Sequence, residues 1–183
     1  MRPHDEPSLG AAPGARAAER SDRCADRGAI RTAIRDQIHA LLKSQPFAVL
    51  CTQGDRQPYG SVVAYAFSDD LCTVVFCTPV NTRKYRLLSE CDKVALVVDS
   101  RCQHLNDMMQ VEAITATGRA LELESGDEYD RLAALLTERH PQLRSFVAAP
   151  SSALVRVQIV RYLHVTRFQE VHQWIPDPTP LQS

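Results

Sequence analysis

Between Phe47 and Thr78 the chain holds three short apolar segments separated by two tight polar turns, and this pattern limits the fold more than any other feature. Residues 47–52, 59–67 and 71–78 are rich in Val, Phe, Tyr and Thr, the composition of strands that pack on a pleated surface. The connections Gln53-Gly-Asp-Arg-Gln-Pro58 and Ser68-Asp-Asp70 carry Gly, Pro and Asp as punctuation. A parallel pair would need a crossover of a dozen or more residues, which neither connection supplies. The three segments therefore predict an antiparallel meander.

The remainder extends this pattern. Ile30, Ala33, Ile34, Ile38, Leu41 and Leu42 recur at helical spacing, predicting a helix over 30–43 that Pro46 ends. Residues 93–99 and 111–124 read as further strands, with Gly118 marking a bulge or a close approach. A short helix is expected over 82–89 and another over 127–139, stopped by Pro141, with one more turn over 143–149. The last strand is expected over 154–168. About six strands and three helices imply a mainly β (α+β) fold, an antiparallel barrel carrying peripheral helices. Residues 1–28, rich in Ala, Arg, Pro and Gly, are expected to be a disordered tail, 29–170 the folded domain and 171–183 an extended C-terminal tail.

The 21 basic and 22 acidic residues give a net charge of −1, which carries no electrostatic footprint for nucleic acid. No apolar run is long enough to span a bilayer, and no apolar segment follows the charged first residues, so a cytoplasmic protein is expected. Six cysteines (Cys24, Cys51, Cys72, Cys77, Cys91, Cys102) form no CxxC pair and are expected to be buried free thiols. No metal site is expected. There is no Ser-His-Asp order, no P-loop, no GxGxxG and no HExxH.

The chemistry concentrates in Cys77-Thr-Pro-Val-Asn-Thr-Arg-Lys84, where a strand ends and a helix begins with two adjacent cations. Cations are disfavoured at a helix N-terminus, where the macrodipole is positive. Arg83 and Lys84 are explained by an anion held between them and the backbone N–H groups, and a phosphate suits that role. Thr78 and Thr82 offer hydroxyls beside it. An ordinary solvated basic turn is the alternative reading of the same residues.

This motif, with the order of elements over 47–168, resembles the flavin-binding split barrels of the pyridoxamine 5′-phosphate oxidase family. The resemblance implies a six-stranded antiparallel split β-barrel of the FMN-binding type, with flavin sites at the interface of a homodimer. It implies that Ser61, Val62, Val63, Ala64 and Tyr65 on the second strand lie along the flavin. It further implies that Thr78, Thr82, Arg83 and Lys84 hold the phosphate and that Trp174 near the C-terminus stacks at the ring; a Trp174 that anchors the tail to the barrel and a Tyr65 packed in the core are the alternative readings. The family's oxidase has an Arg and a Lys on the second strand where this chain has Ser61 and Ala66. The oxidase's C-terminal Arg-x-His is matched only loosely by Arg161-Tyr-Leu-His164. The implied activity is an FMN-dependent oxidoreductase drawing electrons from NAD(P)H or a small substrate. A non-catalytic flavin-binding protein for storage or redox sensing, a deazaflavin protein, a haem-binding or haem-degrading relative using His164 or His172, and a dimeric scaffold with a decayed site are the alternatives. Glu122 and Glu124 alternate with leucines and read as a solvated face.

Overall fold

A computed structural model describes residues 13–54, 56–166 and 170–177, with 13–27 described by their backbone. The elements in chain order are α1 (Pro13–Ser44), β1 (Phe47–Gly54), β2 (Gln57–Phe67), β3 (Thr73–Pro79), α2 (Arg83–Glu90), β4 (Lys93–Asp99), β5 (Ala113–Glu122), α3 (Asp127–Arg139), α4 (Arg144–Val147), β6 (Ser152–Thr166) and β7 (Glu170–Trp174). The sheet runs β3-β2-β1-β4-β5-β6-β7, and β3 also pairs with β6. Every pairing is antiparallel. Six strands thus close a barrel, and β7 is added outside the ring. Pairing of β3 with β6 covers much of the edge that a six-stranded open sheet would present.

Alternation along each strand sorts the side chains. Ala48, Leu50, Val63, Tyr65, Phe67, Val74, Phe76, Leu96 and Ile114 point inward, where Ile38, Leu41 and Leu42 of α1 join them. Ala66, Val75 and Leu154 point outward and are covered by Leu132 and Leu136 of α3 and Val147 of α4. The C-terminal end of α1 is tied to the barrel by two side chains. Tyr65 donates its hydroxyl to the Leu42 carbonyl at 2.8 Å, and Arg139 donates to the Leu42 and Gln45 carbonyls at 2.6 and 2.7 Å.

Three expectations change. The backbone is helical from Pro13, so the disordered tail expected over 1–28 is replaced, for 13–28, by an extension of the helix expected over 30–43. Ala and Arg dominate that stretch and have high helix propensity, and Pro13 suits a first helical position. Residues 1–12 lie outside the described region. The C-terminal tail expected over 171–183 contributes a seventh strand through Trp174. On its β3 side, β6 is paired only from Ser152 to Gln158, and β7 pairs with its other half, Tyr162 to Thr166. Finally, none of the five described cysteines is fully buried, and Cys102 is exposed.

The bulge expected at Gly118 is present, as the β5–β6 register shifts between Thr117 and Gly118. A Cβ on Gly118 would lie 2.4 Å from the Gln158 carbonyl oxygen and 2.8 Å from Val157 Cγ1. The first obstacle is backbone and cannot swing aside. Gly118→Ala is therefore expected to destabilise the barrel by about 1–3 kcal/mol, read from the urea midpoint. An unchanged midpoint would mean that the bulge relaxes freely.

Among the described residues no helix is long and apolar enough to cross a membrane.

Candidate cofactor site

The strand β2 is paired unequally on its two sides. Against β1 it is paired from Gly54↔Gln57 to Phe47↔Ala64. Against β3 it is paired only at Tyr65, Ala66 and Phe67. The β2 edge from Gln57 to Ala64 therefore has no neighbouring strand on the β3 side, and its backbone groups there are open to a ligand. At this gap β3 ends in Thr78 and Pro79, and α2 begins.

Thr82 caps α2 by accepting from the Tyr85 N–H at 3.3 Å while donating to the Pro79 carbonyl at 2.9 Å. The Thr78 hydroxyl lies 3.2 Å from it. Since the Thr82 proton is already given to Pro79, Thr78 is the donor. Both hydroxyl protons are spent on bracing the turn, so the site's free donors are elsewhere. Arg86 N–H returns to the Thr82 carbonyl. The Arg83 and Lys84 N–H groups remain as the open donors of the first turn.

The two cations complete the cradle. Neither Arg83 nor Lys84 makes an ion pair among the described residues. The Arg83 guanidinium lies over the Tyr59 ring, 5.0 Å from its centroid. Lys84 is half-buried, and burial lowers its pKa. Helix α2 is held in place from both sides. Tyr85 donates to Glu122 at 2.8 Å, and Gly54 of the β1–β2 hairpin is pressed against Leu87, where a Cβ would lie 2.3 Å from Cδ2.

The residues expected along the flavin divide between two faces. Ser61, Val63 and Tyr65 point inward, while Val62 and Ala64 point outward. The Ser61 Oγ is buried without a hydrogen-bond partner, a state that costs about 1–3 kcal/mol unless a ligand or water satisfies it. Val63 is buried in the core, and Val62 is 66% exposed on the outer surface.

The structure places two of these residues in the core, as their alternative readings have it. Tyr65 was expected to lie along the flavin, but it is 1% exposed, its hydroxyl serves Leu42, and burial pushes its pKa up to about 12. It anchors α1. Trp174 was expected to stack on the ring. It is instead 6% exposed in the core, with Tyr162 at 5.9 Å between ring centroids and Arg31 over its other surroundings at 5.5 Å. The even spacing of β7 turns it inward beside Tyr162, to which it is paired. Ala66, at the place where the resemblance would put a cation, is buried under α3.

Of the two histidines, His164 is fully buried, with Nε2 3.3 Å from Glu112 and Nδ1 unpartnered. His172 is half-buried and sits opposite it on β7. Sequence reasoning missed Tyr59. Its only signal was an aromatic residue at the start of the second strand, next to the turn that faces Arg83.

A second concavity lies on the outer face, a groove of ≈ 530 Å³ lined by residues including Cys51, Pro58, Ala95, Thr117 and Arg161. No residue of α2 lines it. Among the described residues, the start of α2 brings open backbone N–H groups together with the two cations Arg83 and Lys84.

The closed barrel, the partly unpaired β2 and the capped helix at the gap define a protein of the split-barrel class. A model of the pyridoxamine 5′-phosphate oxidase family matches residues 34–166, and the chain belongs to that family. A search of curated proteins found no match. Among solved structures, the chain is similar to a haem-binding protein from Mycobacterium smegmatis (TM-score 0.67, 16% identity, 74% of this chain and 55% of that one). The chain thus spans about half of that protein. It is also similar to the haem storage protein HutZ of Vibrio cholerae (TM-score 0.61, 13% identity, 76% and 92%). A third is a FAD-binding protein from Mesorhizobium loti (TM-score 0.56, 15% identity, 69% and 89%). At these identities the likeness shows the fold alone.

Proposed function

We propose that this chain binds a flavin, as FMN, and acts as an oxidoreductase that takes electrons from NAD(P)H or a small substrate. The observation that carries this reading is the pair Arg83 and Lys84, without counter-ions among the described residues, at the open N–H groups of α2. Thr78 and Thr82 hold that turn in shape. The orphaned Ser61 Oγ on β2 supports a ligand in the gap, and the unpaired β2 edge offers backbone groups to its polar rim. The residues present fit a phosphorylated flavin with fewer cations than the family's oxidase uses, since Ser61 and Ala66 replace two of them. When bound, a flavin supplies hydride and electron transfer. The chain binds the phosphate, orients the ligand along β2 and limits solvent at the gap.

A homodimer belongs to the same proposal. The outer face of β1, β4 and β5 carries no helix in the described structure, and its Val49, Cys51, Ala95, Val97 and Thr115 are half-exposed. Val62 and Val160 beside them are 66% and 55% exposed. An apolar sheet face of this kind is suited to a second copy.

A haem reading rests on the likeness to the two haem proteins and on His172, which is accessible. His164 does not serve it, because its ring is enclosed and held by Glu112.

The test is an absorption spectrum of the purified protein, with the released cofactor identified by mass. A flavin spectrum with release of FMN supports the proposal, and NAD(P)H turnover with an acceptor then separates an enzyme from a carrier. A Soret band moves the case to haem and His172. A protein that takes up a deazaflavin but not FMN keeps the cradle and changes the cofactor. Failure to take up any of the three rejects the reading.

A further inference from the structure

We propose that Tyr59 is the positioning residue of the phosphate cradle, holding Arg83 in the orientation that accepts the phosphate. This rests on the phosphate reading above and deepens it. The guanidinium of Arg83 lies over the Tyr59 ring at 5.0 Å, and no carboxylate competes for it among the described residues. A guanidinium stacked by its face keeps its N–H fork free at its edge. Ring contact and bidentate phosphate binding are therefore compatible, and the ring removes rotamer freedom that a solvated arginine would lose on binding.

Tyr59 is itself well fixed. It is paired with the buried Thr52 across β1–β2, and the Thr52 hydroxyl donates to the Tyr59 carbonyl at 3.3 Å. The same hairpin is docked on α2 through Gly54 and Leu87. The element that carries the ring and the element that carries the arginine thus form one packed unit. The distance between them is set by the fold rather than by the ligand. Tyr59 is half-buried, so one side of its ring stays available to Arg83.

The test uses the full chain, with FMN and riboflavin as probes that differ only in the phosphate. Tyr59→Leu is expected to weaken FMN binding about 2- to 5-fold, the worth of an exposed cation–π contact. Riboflavin binding should not change, and Tyr59→Phe should behave as the parent. In an Arg83→Ala background, Tyr59→Leu should have no further effect. A second readout needs no flavin: the Arg83 Nε–Hε proton should be shifted upfield by the ring in the free protein, and Tyr59→Leu should remove that shift. Absence of the ring shift overturns the proposal. So does an equal loss of FMN and riboflavin in Tyr59→Leu, which would place the ring against the flavin itself. So does an equal loss in Tyr59→Phe and Tyr59→Leu, which would assign the effect to the hydroxyl. If the parent protein binds FMN no better than riboflavin, the phosphate cradle itself is rejected, and Tyr59 loses its role with it. That failure shows in the unmutated chain and is distinct from the others.

Discussion

Trp174→Ala is expected to cost about 3–5 kcal/mol of stability, the range for removing a large aromatic side chain from a core. Total stabilities of single domains are about 5–15 kcal/mol, so the variant should lie near the edge of folding at 25 °C. The physical reason is the position of the ring. Trp174 is 6% exposed, packs on Tyr162 and closes the end of β7 against the barrel. Arg31 of α1 rests on it and also donates to the Ile175 carbonyl and to Asp177, at 2.9 and 2.7 Å. Removing the ring therefore loosens β7 and the middle of α1 together. Trp174 is the only tryptophan, so unfolding in urea is followed by circular dichroism rather than by fluorescence. Trp174→Phe should recover part of the loss. A Trp174→Ala protein of parental stability that has lost flavin affinity would refute the anchoring role and restore the stacking role that the resemblance implied.

Arg83→Ala is expected to weaken FMN binding by about 1.5–3 kcal/mol, or about 10- to 150-fold in Kd, the usual worth of a hydrogen bond to a charged group. Riboflavin should bind the variant and the parent alike, because it lacks the group that Arg83 grips. The comparison distinguishes a phosphate contact from a general disturbance of α2. Arg83 is exposed and forms no ion pair among the described residues, so little stability should be lost with it. Unchanged FMN affinity would remove the phosphate assignment.

The pH dependence follows from Lys84. Burial lowers its pKa below that of an exposed lysine. As pH rises through that lowered value, Lys84 loses its charge. FMN affinity should therefore decline at alkaline pH before exposed lysines titrate. Lys84→Arg, which stays charged, should flatten the profile. A profile unchanged by that substitution would show that Lys84 does not face the phosphate.

The sequence carried much of the barrel. Strand β4 and helix α3 occupy the residues that alternation and helical spacing predict. The meander of β1, β2 and β3 follows from connections too short for a crossover. Gly118 was legible as a bulge because a glycine inside a strand marks a place where no side chain fits. The start of α2 was legible too: Thr82 caps it as a threonine there should, and the two cations Arg83 and Lys84 stand in its first turn.

Other features were not legible, for reasons visible in particular residues. Ser61 to Tyr65 read as one run along a ligand, but a strand turns alternate residues to opposite faces. Only the closed barrel decides that Tyr65 is inward and claimed by Leu42, and that Val62 is outward. β7 was hidden because its five residues look like a tail. They become a strand only where β3 stops and leaves half of β6 unpaired. The Thr78 and Thr82 hydroxyls were expected to serve a ligand, yet their protons are taken by the turn they brace.

Sequence alone determined the local quantities: which segments form strands, where chains turn, and that a pair of cations stands where a helix begins. Those follow from side-chain periodicity, backbone preference and the sign of a dipole, all of which act within a few residues. Tertiary structure decided the rest. Closure of β3 on β6 set which faces are inside, the short β2–β3 ladder opened the gap, and the docking of the β1–β2 hairpin on α2 brought Tyr59 to Arg83. These contacts join residues distant in the chain, and no local pattern encodes the distance between them.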